Sequence, residues 1–169
     1  MKRLDENISI LAEKWGQFLR KQKLKCAIAE SCTGGGIAFA LTGIPGSSTF
    51  FERGFVTYSN LSKQELLGVP ENIIQTYGAV SKETAEKMAE GALNKSPVDF
   101  ALSVTGIAGP EGGTKDKPVG TIWFGLATSM TDTKTIHQYF TGSRESIRLA
   151  TIHFAFEWGY DALREIFPG

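Results

Sequence analysis

Two short apolar runs, Cys26-Ala-Ile-Ala29 and residues 99–104, each end in a glycine-rich loop, and this pairing constrains the fold more than any other feature of the chain. A brief run of small and branched apolar side chains reads as a buried strand. Glu30-Ser-Cys-Thr-Gly-Gly-Gly36 follows the first, and the apolar segment 37–41 beyond it reads as a helix. Thr105-Gly-Ile-Ala-Gly-Pro-Glu-Gly-Gly113 follows the second. In open α/β sheets ligands bind beyond the carboxyl ends of the strands, so both loops are candidates to line a site.

The remaining segments supply layers around these strands. Ile8, Leu11, Trp15, Phe18 and Leu19 recur at helical spacing and predict an amphipathic helix over residues 4–23. Residues 43–48 read as a loop, and residues 50–58, with their aromatics, Val56 and Thr57, as a strand. Short helices are expected over 63–67, with Ser59, Asn60 or Ser62 as cap, and over 71–77. Ser81 precedes a longer helix to about Lys95, with the stripe Ala85, Met88, Ala89 and Ala92. Residues 119–128 and 134–140 read as strands joined by a turn at 130–133, and residues 143–156 as a closing helix. Helices interleaved with strands predict an α/β sandwich, and the late hairpin makes its sheet mixed, though largely parallel. No repeat, low-complexity tract or long linker divides the chain, so one domain over residues 1–169 is expected.

Composition removes several classes of function. Lys+Arg and Asp+Glu balance at 18 each, which leaves no electrostatic reason for nucleic-acid or membrane-surface binding. No apolar run reaches membrane-spanning length, and residues 1–7 are charged rather than signal-like. Cys26 and Cys32 form neither a metal spacing with histidine nor a disulfide framework, and reduced thiols fit a cytoplasmic location. No cluster of His, Cys or carboxylates has ligand spacing, so neither a metal nor another cofactor is expected.

Ser31 is the candidate nucleophile. A serine at a strand-to-helix turn is exposed beside backbone donors, and glycines let that backbone approach a ligand closely. The loop lacks the Walker lysine and is not a G-x-G-x-x-G fingerprint; read alone, it is equally consistent with a plain tight turn. A serine hydroxyl needs a base. His137 falls in a predicted edge strand and His153 within the last helix, away from both loops, which argues against a Ser-His-Asp triad. Lysine replaces histidine where burial or neighbouring cations lower its pKa. Tyr58 and Lys63 stand at a strand end, but their spacing does not place them on one helix face, so the Ser59-Asn60 turn must bend both toward one site. Spacing alone favours a surface lysine and a half-buried tyrosine. Cys32 competes with Ser31, because thiolates at helix starts are activated. Adjacent residues point in different directions, so only one of the two can face a ligand. Glu30 and Glu52 are candidates for orientation or proton transfer, although isolated acids are more often solvated or structural.

Ala29-Glu-Ser-Cys-Thr-Gly-Gly35, Thr42-Gly-Ile-Pro-Gly-Ser-Ser48, Gly54-Phe-Val-Thr-Tyr-Ser-Asn60 with Lys63, Gly78-Ala-Val-Ser81, Ser103-Val-Thr-Gly-Ile-Ala-Gly-Pro110 with Gly112-Gly113, and Lys117-Pro-Val-Gly-Thr121 together resemble the CinA C-terminal domain family in order and spacing. The resemblance covers nearly the whole chain, from about residue 4, and is to the stand-alone form. It implies a three-layer α/β/α fold. It also implies a nicotinamide-nucleotide amidohydrolase, converting nicotinamide mononucleotide and water to nicotinate mononucleotide and ammonia in pyridine nucleotide recycling. The implied machinery is a serine with a lysine and a tyrosine, at Ser31, Lys63 and Tyr58, which favours Ser31 over Cys32. Backbone amides of Thr33, Gly34 and Gly35, or of the second loop, are the expected oxyanion donors. Thr105, Gly106, Ala108 and Gly109, with Arg144, are the expected contacts to the substrate's phosphate; the alternative is that this loop only shapes the pocket wall while the phosphate sits on the backbone amides of the Ser31–Gly36 helix start. Many family members carry an acid before this arginine, in a Gly-Asp-Arg pattern; here the stretch is Gly142-Ser-Arg144, and Arg144 and Arg148 remain. The expected partners are the small-molecule substrate and further copies of the chain, with neither nucleic acid nor membrane. Two other readings stay open: a nucleotide-binding or regulatory module without turnover, and an amidase for a related carboxamide.

Overall fold

Side-chain alternation along two parallel strands, β1 (Cys26–Glu30) and β3 (Phe100–Gly106), divides the molecule into layers. In the computed structural model, which describes residues 5–169, β2 (Phe51–Val56), β4 (Thr121–Thr128) and β5 (Thr131–Tyr139) complete a five-stranded sheet of order β2-β1-β3-β4-β5. β1 pairs in parallel with β2 and β3, and β4 pairs antiparallel with β3 and β5. β1, β2, β3 and β5 therefore share one direction, and β4 opposes them.

Cys26, Ile28, Phe100, Leu102 and Val104 face a layer made by α1 (Glu6–Gln22), α2 (Gly36–Thr42) and α6 (Arg144–Ile166). Ala27, Ala29 and Ala101 face α5 (Lys82–Asn94), with α3 (Asn60–Leu67) and α4 (Glu71–Tyr77) beside it. The architecture is a three-layer α/β/α sandwich. Its two faces differ in side-chain size for a packing reason. On the first, Trp15 fills the space between α1, α6 and the sheet, edge-on to Phe100 and Phe156, and its indole N–H donates to the Phe156 carbonyl at 2.8 Å. On the second, alanines, Ser103 and Gly125 let α5 lie close. A Cβ at Gly125 would stand 2.7 Å from the Ala85 carbonyl oxygen, which already accepts the Ser103 hydroxyl at 2.6 Å.

Several boundaries correct the sequence-based expectations. α6 runs to Ile166 rather than residue 156, because its buried face continues through Gly159, Ala162 and Leu163. β5 starts at Thr131 rather than 134: threonines extend the ladder and only Ser129 and Met130 turn. β4 starts at Thr121 rather than 119, after a turn in which Thr121 N–H donates to the Pro118 carbonyl. β2 covers Phe51–Val56 rather than 50–58, and Tyr58 lies at the entrance to α3. α3 starts at Asn60 rather than 63, capped by the Ser59 hydroxyl, which accepts the Ser62 amide at 3.0 Å. The expected start of the first helix at residue 4 lies outside the described residues; α1 begins at Glu6, with Asp5 as its cap. Among the described residues no helix is long and apolar enough to cross a membrane.

Candidate active site

The alternation that sorts the core also separates the first loop's two functional side chains. Glu30, the last residue of β1, shares the face of Cys26 and Ile28 and turns toward α2; Ser31 turns the other way, toward α3. The Glu30 carboxylate is buried and accepts the Ile37 and Ala38 amides at 2.9 and 3.0 Å and the Thr33 hydroxyl at 2.6 Å. A carboxylate thus already occupies the first turn of α2, so the helix start that reads as an anion site is filled by the chain itself. Glu52 pairs with Arg53 on the edge strand β2, away from this loop.

Lys63 lies on the buried face of α3, four residues before Leu67, and is 1% exposed. Its Nζ stands 3.0 Å from Ser31 Oγ, 2.8 Å from the Thr57 carbonyl oxygen and 3.1 Å from that of Tyr58. No carboxylate is among these partners, and burial pushes the ammonium down to about 8. A neutral amine has two N–H groups and one lone pair. With the two carbonyls accepting the N–H groups, the lone pair is left for the Ser31 hydroxyl proton. Spacing alone favoured a surface lysine here; α3's first turn instead brings Nζ back beneath the end of β2.

Cys32 packs into the core on the α2 and α6 side, and burial pushes its thiol up to about 12. It is protonated at neutral pH, and its Sγ lacks the activation that a helix start would lend a thiolate. Tyr58 contributes its carbonyl to Lys63, while its ring is exposed and its hydroxyl accepts from Arg144 Nη2 at 3.0 Å. Arg144 Nη1 donates to the Gly109 carbonyl at 2.7 Å, so this residue ties the start of α6 to the second loop. The buried Thr105 hydroxyl donates to the Ala79 carbonyl at 2.9 Å. Gly34, at φ 59°, donates its amide to the Ser31 carbonyl at 3.0 Å, and Gly35 caps α2.

Ser31, Tyr58, Lys63, Thr105, Gly106, Ala108 and Arg144 line one recess of about 130 Å³; Thr33, Gly34, Gly35 and Gly109 do not line it. Cys32, Ala79 and Val80 complete its wall. Ala79 and Val80 have no chemical signature in the sequence beyond the motif Gly78-Ala-Val-Ser81, whose serine caps α5. The Thr57 and Tyr58 carbonyls were equally invisible, since every residue carries one. His137 stacks on Trp123 at 4.7 Å, and His153 lies 3.5 Å from Glu157 on α6; neither lines the recess. Among the described residues no group of three or more His, Cys, Asp or Glu is arranged to hold a metal ion.

Residues 8–163 match the CinA C-terminal domain model. The chain is 49% identical to the nicotinamide-nucleotide amidohydrolase PncC of Enterobacter agglomerans, over 97% of this chain and 96% of that protein. It is 44% identical to the protein of the same name from Escherichia coli K12, over 90% and 93% of the two chains. Among solved structures, the competence/damage inducible protein CihA from Agrobacterium tumefaciens superposes with a TM-score of 0.91 at 42% identity, over 95% of this chain and 98% of that one. The chain belongs to the CinA C-terminal domain family.

Proposed function

We propose that this chain is a nicotinamide-nucleotide amidohydrolase that releases ammonia from nicotinamide mononucleotide by way of Ser31, and that it serves pyridine nucleotide recycling. The observation that carries the reading is the buried Lys63 amine 3.0 Å from Ser31 Oγ, a nucleophile and base already in hydrogen-bond contact. The activity named for the relatives at 44 and 49% identity supports the choice of substrate.

The chemistry is acyl transfer. Ser31 Oγ bonds to the carboxamide carbon while its proton passes to the neutral Lys63 amine. The tetrahedral intermediate collapses, the C–N bond breaks, and Lys63 returns the proton to the departing nitrogen, which leaves as ammonia. Water then adds to the nicotinoyl ester with Lys63 again taking a proton, and nicotinate mononucleotide leaves as Ser31 recovers its hydrogen. Every step uses groups of this chain and water.

The recess of about 130 Å³ is smaller than sites that enclose whole ligands, roughly 300–1,000 Å³, so it receives the reacting ring and not the entire nucleotide. Ribose and phosphate extend past the mouth, where Tyr58 and Arg144 stand. Because Glu30 occupies the start of α2, the phosphate falls to Arg144 and the second loop at Ala108 and Gly109. The test is ammonia release from nicotinamide mononucleotide by wild type, Ser31→Ala and Cys32→Ala. Wild type and Cys32→Ala are expected to turn over and Ser31→Ala to be inactive but folded. Retained turnover in Ser31→Ala, with Cys32→Ala dead, overturns the nucleophile. Nucleotide binding by wild type without ammonia release makes the chain a non-catalytic module.

A further inference from the structure

The recess carries positive charge without a counter-charge. Lys63 and Arg144 both line it, and among the described residues no carboxylate does. Each element around Lys63 adds little to offset it. Cys32, from the first loop, stays a neutral thiol, because burial pushes it up to about 12. Tyr58 meets the amine with its backbone carbonyl, and its phenol lies against Arg144. α5, packed on α3, presents Met88 and Ala92, and the segment before it Ala79 and Val80. From α6, Arg144 donates to two neutral oxygens, the Gly109 carbonyl and the Tyr58 hydroxyl. Arg148 of the same helix grips the first loop from outside the recess: its Nε donates to Cys32 O and its Nη2 to Thr33 O, each at 3.1 Å. Glu30 is turned away, onto the α2 amides and the Thr33 hydroxyl.

The product of deamidation is an acid. Once water has cleaved the nicotinoyl ester and Ser31 has recovered its hydrogen, a carboxylic acid stands beside the neutral Lys63 amine. Carboxylic acids ionise at about 4 and the Lys63 ammonium at about 8, so the acid O–H bond breaks and its proton moves to Nζ. A carboxylate then faces an ammonium. Two of the three ammonium N–H groups stay on the Thr57 and Tyr58 carbonyls, at 2.8 and 3.1 Å, and the third is left on the side of Ser31 Oγ, 3.0 Å away. The product's carboxyl carbon was bonded to that same Oγ, so its oxygens start within hydrogen-bond reach of Nζ. A buried cation without a counter-ion is costly, and the carboxylate relieves that cost where the neutral carboxamide does not. The phosphate and the pyridinium charge are common to substrate and product. We propose that the recess is a carboxylate site, binding its nicotinate product more tightly than its amide substrate through an ion pair with Lys63, so that the acid it makes holds the enzyme in check.

The inference rests on the proposed deamidation, and the test keeps the two apart. Binding of nicotinate mononucleotide and of nicotinamide mononucleotide is measured by calorimetry on Ser31→Ala, which is expected not to consume the amide, and on Ser31→Ala combined with Lys63→Met, from pH 7.5 to 9.5. At pH 7.5 the acid is expected to bind about tenfold more tightly than the amide, and the double variant to lose that preference. Above about 8 the free lysine sheds its proton, so the acid's affinity is expected to fall while the amide's holds. At pH 9 binding of the acid is expected to take up about half a proton, read from the heats in two buffers of different ionisation enthalpy. If the double variant does not fold, proton uptake by wild type with the acid carries the test. Equal affinities at pH 7.5 overturn the inference, as does an acid affinity flat to pH 9.5 or a preference that survives Lys63→Met. Absence of ammonia release from the amide by wild type overturns the deamidase reading instead, whatever the affinity for the acid.

Discussion

The base proposed for Ser31, Lys63, can take a proton only in its neutral form, and burial brings that form within reach near neutrality. With its ammonium at about 8, kcat/KM is expected to climb about tenfold per pH unit below that value and to level off above it. Lys63→Arg, whose guanidinium keeps its proton, is expected to be inactive across the range. A profile already flat from pH 6 means another group takes the serine proton. The same shift affects stability. Lys63 moves from 10.5 to about 8 on folding, so between these values the unfolded chain binds more protons and the Lys63 contribution to stability rises with pH. Cys26 and Cys32 act in the opposite sense, because burial raises both thiols and stability is lost as the unfolded thiols ionise above about 9. Comparing urea unfolding of wild type and Lys63→Met cancels the cysteines. Wild type is expected to gain on the variant from pH 8 to pH 10; a constant difference contradicts a desolvated Lys63. Ser31 as a candidate was legible from residue type and loop position, whereas Lys63, which spacing alone left as a surface lysine, was raised only by the family resemblance. Their contact was not legible, because it depends on α3 folding back across the end of β2.

At the scale of elements, the site hangs on two helix starts. Glu30 caps α2 from the adjoining strand, and Glu30→Gln exchanges one carboxylate oxygen for an amide that cannot accept. We expect a loss of about 1–3 kcal/mol in chemical denaturation. Ser59→Ala removes the cap of the helix that carries Lys63, and is expected to lower stability by about 1 kcal/mol and kcat by less than about tenfold, through fraying of a single turn. Equal kcat in Ser59→Ala and wild type at full destabilisation indicates that the burial of Leu67 against Met88 and Ala92 of α5, not the cap, holds α3 and Lys63 in place. Glycine-rich composition showed that a strand-to-helix turn begins at Glu30. That the glutamate, rather than a ligand, meets the helix dipole follows only from the parity of β1.

For the molecule as a whole, the decisive feature is the closeness of α5 to the sheet. It brings Ala79 and Val80, just before that helix, against the end of β3, where Thr105 donates to Ala79 and the recess closes. Gly125→Val inserts a side chain where even a Cβ would approach the Ala85 carbonyl to 2.7 Å. The expected result is a loss of about 1–3 kcal/mol, with KM raised as the α5 wall shifts. Unchanged melting and KM together would show that α5 tolerates the displacement freely.

The order of apolar runs and glycine loops determined the α/β sandwich, the mixed sheet and the loops that carry the site, because strand burial and tight turns are local consequences of side-chain size and backbone freedom. Tertiary structure alone decided how far α6 extends, where the β4–β5 hairpin turns, and which of Ser31 and Cys32 faces Lys63. It also decided that Glu30 fills the α2 start and that Arg148 grips the loop. Those outcomes depend on partners 32 residues apart, for Ser31 and Lys63, and 116 apart, for Cys32 and Arg148. No local pattern records such pairings, because they exist only once the sheet has set the parity of each side chain and the helices have packed against it.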